Sequence, residues 1–375
     1  MTGGVAHRPP GRLVALLTVT LLWPGAACSE GSETAGPEPG LEGARAALAQ
    51  RVATAEAAGS GVVPGADGWI FFAPELRHLA VGRFWGERAA AVSRAPRSEQ
   101  ADPLPAILDF QRQLAELEID LLFVPVPAKA ALYPDRLGLP GFAGEGAPRL
   151  DEADREFLVA LEAQGVEVLD LVPHFRTARA AGGEELYCRQ DTHWSPRGAA
   201  VAAGAIAERL AGRSYFDGHT RRALHPVSRE IAIEGDLWRE MPEPRPPREV
   251  LRVTGLAAAA GHPGYPAVDR ASPVLLLGDS HVLVFHAGGE LHATGGGLPA
   301  ALALELAHPV DVLGVRGSGA TPSRVNLLRR GDGLAGKRVV VWVLSVREYT
   351  QGQGWGLVPV TRLTVGAGAR GRTNE

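Results

Sequence analysis

Two cysteines, Cys28 and Cys188, are all that 375 residues contain, so no disulfide framework is available to staple the chain. A bridge between them would tie a leader to the domain and is not expected. Aromatic residues amount to 6 % and the net charge is −4. No basic stripe runs along any segment, which excludes nucleic acid as the natural partner. The eleven histidines are scattered, with no His-x-x-x-His spacing and no cysteine pair, so neither a metal site nor a cofactor is expected. Internal repeats are absent. The apolar run from Leu13 to Trp23 falls short of the ~20 residues that span a bilayer.

What is present is enough for a core: 45 % hydrophobic residues, with 47 Gly and 29 Pro marking many turns. That Gly and Pro content stays below the level of wholesale disorder. His7, Arg8 and Arg12 precede the apolar run, and Pro24-Gly25-Ala26-Ala27 lead to Cys28. This charged, apolar, small-residue order reads as a signal peptide over 1–27 and an exported protein, periplasmic or at the cell surface. Small residues before Cys28 fit a lipobox, with lipidation and membrane attachment at that cysteine, as well as they fit plain cleavage after Ala27. Residues 28–61 read as a partly disordered tether whose Ala-rich stretch, 41–58, has helical character, and 62–375 as the folded domain.

Within that domain apolar runs alternate with helical patterns. Ile119–Val126, 166–172, Pro273–Leu277, Val310–Val315 and Arg338–Val346 read as buried strands. Leu104–Leu117, Leu150–Gln164, 196–210, Leu298–Ala307 and Pro322–Arg330 read as helices. Residues 213–270, with four prolines crowded between Pro242 and Pro247, read as an irregular surface insertion. A short extra strand is expected after residue 350. The alternation predicts an α/β fold, a parallel sheet flanked by helices on both faces, with irregular insertions.

The chemistry gathers in two places. Residues 191–200 read DTHWSPRGAA, where Ser195 caps a helix with Pro196 at its first turn. Asp191 and His193 stand two apart, and side chains so spaced point the same way in an extended segment. After the PVLLL strand come Gly278-Asp279-Ser280, which puts Ser280 at the carboxyl edge of the sheet. A serine hydroxyl needs a base, and the base an orienting acid. Ser280, His193 and Asp191 are therefore the candidate triad. His281 is a competing base. The loop Gly317-Ser318-Gly319 offers backbone N–H groups for an oxyanion, as does Ser280 itself, and Trp194 is a candidate for stacking on sugar. Cys188 reads as a half-buried thiol rather than a nucleophile.

The blocks GADGWIFFAPELRHL, VPVPAKAALYPDRL, DTHWSPRGAA, LLLGDSHV and VVVWVLSVREY resemble, in the same order, those of the alginate O-acetyltransferase family of AlgJ- and AlgX-like proteins. The resemblance covers roughly 62–350 and implies an SGNH-hydrolase-type fold. Ordinary SGNH hydrolases carry the Asp-x-x-His after the serine, whereas here, as in these acetyltransferases, Asp-x-His precedes it. The resemblance implies Ser280 as nucleophile, His193 as base and Asp191 as its orienting acid. It also implies acetyl transfer to hydroxyls of an extracytoplasmic polysaccharide, with acetyl relayed by a membrane-bound O-acyltransferase. No oxyanion asparagine is evident. Two alternatives remain open: a carbohydrate acetylesterase with the same triad, and a non-catalytic polysaccharide export scaffold.

Overall fold

A computed structural model describes Met1 and residues 40–361, apart from Glu145 and 258–266. The signal peptide, the lipidation site at Cys28 and the first part of the tether lie outside the described residues. Nine strands are described in chain order: β1 (Val62–Pro64), β2 (Ile70–Phe72), β3 (Asp120–Val126), β4 (Glu167–Val168), β5 (Pro226–Ile233), β6 (Glu249–Leu256), β7 (Val274–Gly278), β8 (Asp311–Gly314) and β9 (Val339–Ser345). Five form a parallel sheet in the order β4-β3-β9-β7-β8, and β1 with β2 and β5 with β6 form separate antiparallel pairs.

Burial explains that order. Strands β7 and β9 are buried at every residue, as continuous runs such as VVVWVL require when helices cover both faces. Strand β3 is buried and apolar after its exposed first residue, Asp120, but contains Pro125, which lacks an N–H for the ladder. The sheet accommodates it because Phe123 directs its carbonyl to Leu169 beside β4, so Pro125, two residues on, faces the same side after the short β4 has ended. Strands β3, β7 and β9 all end at one edge of the sheet, and that edge carries the chemistry.

The described structure departs from the sequence reading at four places. Residues Leu41–Ala57 form a helix that belongs to the core: Ala44, Leu48, Val52 and Ala55 repeat at helical spacing and are buried among the other core residues. This stretch is therefore part of the domain and not of a tether. The segment 166–172 is a strand only to Val168, because Asp170 accepts the Val172 N–H and caps a helix over Leu171–Ala180. The supposedly irregular insertion contains the eight-residue strands β5 and β6, paired in register from Pro226↔Leu256 to Ile233↔Glu249. After residue 350 no strand occurs among the described residues. Among them, too, no helix is long and apolar enough to cross a membrane.

Candidate active site

Strand β7 turns sharply at its end. A Cβ on Gly278 would lie 1.8 Å from the Val343 carbonyl oxygen, so only glycine lets β7 and β9 approach this closely. Asp279 then ties the turn together. Its Oδ2 accepts the Ser345 N–H at 2.7 Å, and its Oδ1 accepts the His281 N–H at 2.8 Å and Nδ1 at 3.1 Å. Ser280 opens the short helix Ser280–Leu283, and no acceptor among the described residues faces its own N–H.

The DTHW segment closes on this turn from the other side. Tyr187 and Trp194 bridge in antiparallel fashion, and the Cys188 N–H bonds the His193 carbonyl, so 188–193 form a tight loop rather than an extended run. Asp191 folds back over it, with Oδ1 accepting both the His193 N–H at 3.0 Å and Nδ1–H at 2.6 Å. His193 Nε2 stands 2.7 Å from Ser280 Oγ. Asp191, His193 and Ser280 thus form one hydrogen-bonded line. The first two meet through a side-chain-to-backbone turn, not through the same-face geometry of an extended strand.

Two groups absent from the sequence reading complete the acid. Asp191 Oδ2 accepts the Asp236 N–H at 2.9 Å and faces His292 Nε2 at 2.9 Å. Asp236 lies just after β5, and its carboxylate in turn takes the Thr192 N–H, the Thr192 hydroxyl and the Leu237 N–H. Burial works against charge on Asp191, yet His193 and then His292 outweigh it and hold the carboxyl well below its usual pKa. Burial likewise works against protonated His193, but the Asp191 carboxylate overrides it and raises the imidazole above the usual histidine value near 6.5. An ionised Asp191 can only accept, so Nδ1 of His193 carries the proton and the Nε2 lone pair faces the serine hydroxyl.

The remaining candidates sort out by contact. His281 is fully buried, turned back onto Asp279 with no hydrogen bond to Ser280. Burial leads the causes that lower its pKa, against the pull of Asp279. Trp194 is 0 % exposed and edge-on to His281, so no face is left for a sugar; it packs behind the histidines instead. Cys188 is wholly buried rather than half-buried, and desolvation pushes its thiol well above the usual value. Gly317 is exposed in the left-handed region at φ 90°. The Ser318 hydroxyl is committed to Glu348 at 2.6 Å. Gly319 abuts the nucleophile turn: a Cβ there would come within 2.6 Å of Asp279 Cβ and 2.8 Å of Asp279 N. Its N–H has no acceptor among the described residues.

Asp191, His193 and Asp236 bring potential metal-ligand atoms within 4.8 Å of one another, the one such group among the described residues. Their carboxylate oxygens already accept the N–H and O–H groups named above, and this donor set holds the histidine rather than leaving atoms open to an ion.

Gly235 makes the approach of Asp236 testable. A Cβ there would fall 1.9 Å from the Gln190 carbonyl oxygen and 3.0 Å from Asp191 Cβ. The obstacle is backbone and cannot swing aside. Gly235→Ala is expected to cost about 2 kcal/mol or more, as overpacking does. Thermal unfolding should show the lowered midpoint; an unchanged midpoint would mean that the strap after β5 is not seated on the DTHW loop.

Residues 62–345 match the family model of the SGNH hydrolase-like domain of acetyltransferase AlgX. The chain is 29 % identical over 208 residues to the probable alginate O-acetylase AlgJ of Pseudomonas aeruginosa, covering 53 % of this chain and 48 % of that protein. To its Pseudomonas fluorescens counterpart it is 32 % identical over 187 residues, covering 47 % and 45 %. The chain thus spans about half the length of these relatives. Among solved structures, the O-acetyltransferase domain of Pseudomonas putida AlgJ superposes with a TM-score of 0.57 at 25 % identity, over 77 % of this chain and 92 % of that one. Pseudomonas aeruginosa AlgX gives 0.54 at 14 % identity, over 78 % and 65 %, a likeness of fold alone.

Proposed function

The chain belongs to the family of the SGNH hydrolase-like domain of acetyltransferase AlgX, and on that premise we propose that it transfers acetyl groups to hydroxyls of an extracytoplasmic polysaccharide through an acetyl-serine on Ser280. The observation that carries this reading is the unbroken line from Asp191 through His193 to Ser280, with 2.6 Å and 2.7 Å between successive groups.

Ser280 Oγ attacks the acetyl carbonyl of the donor while His193 Nε2 takes its proton. Backbone N–H groups of Ser280 and Gly319, which have no acceptor among the described residues, receive the developing oxyanion. The tetrahedral adduct collapses, His193 returns the proton to the departing donor group, and acetyl-serine remains. An acceptor hydroxyl then gives its proton to His193 and attacks the acetyl carbon. Collapse of that second adduct frees Ser280, which recovers its proton, and leaves the acetylated sugar. Asp191 stabilises the imidazolium formed in each half. In this reading the leader sequence marks an exported protein, and the family resemblance implies a separate membrane-bound O-acyltransferase that relays acetyl to it.

Ser280 and His193 are each 6 % exposed, so the opening is narrow and favours a nucleophile that is held and aligned there. An aligned sugar hydroxyl can therefore compete, since orientation is worth very large effective molarities. With a small acetyl ester alone, acetate release should be slow; adding oligomers of bacterial exopolysaccharides should yield an acetylated sugar, read by mass spectrometry. Fast acetate release with no oligomer ever acetylated would make the protein an esterase and overturn the transferase reading.

A further inference from the structure

Asp191 is held by a second histidine, 101 residues along the chain, whose Nε2 stands 2.9 Å from Oδ2. The His292 side chain is 4 % exposed. Because the carboxylate only accepts, His292 Nε2 carries the proton of this bond.

The backbone at His292 is under strain. Its φ of 73° and ψ of −52°, with the Ala293 N–H bonded to the Leu291 carbonyl at 2.9 Å, make it the centre of a classic γ-turn, which is rare and costly for a residue with a Cβ. Such a conformation persists only where the surroundings dictate it, and here they do. Phe285 N–H bonds the Leu291 carbonyl and Gly288 N–H the Ala293 carbonyl, each at 2.8 Å. Strand β6 presses on the same loop: a Cβ on Gly255 would meet the Gly295 oxygen at 2.8 Å, and one on Gly296 would meet Val253 Cγ1 at 2.7 Å. Arg229 of β5 donates to the Thr294 carbonyl at 3.1 Å. Glycine would satisfy this turn without strain, and five glycines stand within 288–297, yet the strained position holds an imidazole aimed at the acid.

We propose that His292 is a positioning residue for the reaction assigned to Ser280, fixing the rotation of the Asp191 carboxylate so that Oδ1 stays on His193 Nδ1. The inference rests on the triad reading. Asp191 sits on a bent loop, and the Asp236 N–H gives Oδ2 only one anchor. A second donor on the same oxygen sets the carboxylate plane, and through it the direction of Nε2 toward the serine.

The test uses the full chain and 4-nitrophenyl acetate, with variants His292→Ala, His292→Gln and His292→Gly. His292→Ala should lower kcat by about 10- to 100-fold, the usual effect of losing a residue that holds a reactive group's partner, with KM changed by no more than about twofold. Gln, whose amide N–H reaches to the place of Nε2, should recover most of kcat. Gly relieves the turn, so its thermal midpoint should not fall below that of the Ala variant while kcat stays low. A folded His292→Ala or His292→Gly protein with wild-type kcat overturns the proposal, as does His292→Gln no faster than His292→Ala at equal thermal midpoint. Ser280→Ala measured alongside separates the two readings. If it is active, the triad itself fails; if it is inactive beside a fully active His292→Ala, only the role of His292 is lost.

Discussion

Replacing Ser280 by alanine should abolish acetyl transfer, with a loss of about 10⁴-fold or more, while the folded protein persists. Among the described residues the only side-chain hydrogen bond of Ser280 runs to His193, and the turn that presents it is held by Gly278 and Asp279 instead. Deleting one hydroxyl removes the nucleophile without removing a tie of the fold. Thermal unfolding should therefore give a midpoint within a few degrees of wild type, about what a loss below 1 kcal/mol produces. Transfer should be undetectable when acetylated oligosaccharide is followed by mass spectrometry. A variant keeping even about a tenth of the wild-type rate would remove Ser280 as nucleophile, since no triad serine leaves that much behind.

Legibility in the sequence followed the range of the physics. Strands β3, β7 and β9 announce themselves as continuous apolar runs because they are buried on both faces. The helix over Pro196–Leu210 does so through Ser195 and Pro196. Asp191 and His193 were visible as neighbours, and Ser280 through the glycine turn before it. Strands β5 and β6 are hard to read from sequence because β5 is exposed nearly throughout and β6 at every second residue from Val250 to Thr254, so Arg229, Glu230 and Arg252 break up their apolar residues and no continuous buried run forms. Between them lie prolines that read as loop. Asp236 and His292 were hidden for another reason. They reach Asp191 across 45 and 101 residues, and no local period records a contact of that range. The available hints were a Gly-Asp pair at 235–236 and a histidine set between glycine clusters at 288–289 and 295–297. Trp194 misleads in the opposite direction: beside the candidate base it reads as available for sugar, but the loop that aims His193 at Ser280 turns its neighbour into the core.

Changing Asp191 to asparagine should slow both acetate release and acetyl transfer, by a common factor of about 10⁴. Four N–H groups converge on this carboxylate: the backbone N–H and Nδ1–H of His193 on Oδ1, and the Asp236 N–H and His292 Nε2–H on Oδ2. An amide offers one acceptor oxygen and an NH₂, so one pair of donors must meet another donor. If the oxygen stays with Asp236 and His292, the NH₂ faces His193 and favours the tautomer protonated at Nε2, which cannot accept the serine proton. The pH profile should change as well, with a defined sign. In the wild type His193 must be neutral to act as base, and Asp191 raises its pKa above the usual value near 6.5. Activity should therefore climb with pH through a limb above that value and level off beyond it. Without the carboxylate, burial is left as the dominant influence and lowers the pKa of His193. The residual activity of Asp191→Asn should rise through a limb displaced to lower pH and be flat where the wild type is still climbing. Hydrolysis of 4-nitrophenyl acetate followed from pH 5 to 9 in both proteins measures this. Equal limbs in the two proteins would mean that Asp191 does not set the charge of the base, whatever its effect on the rate.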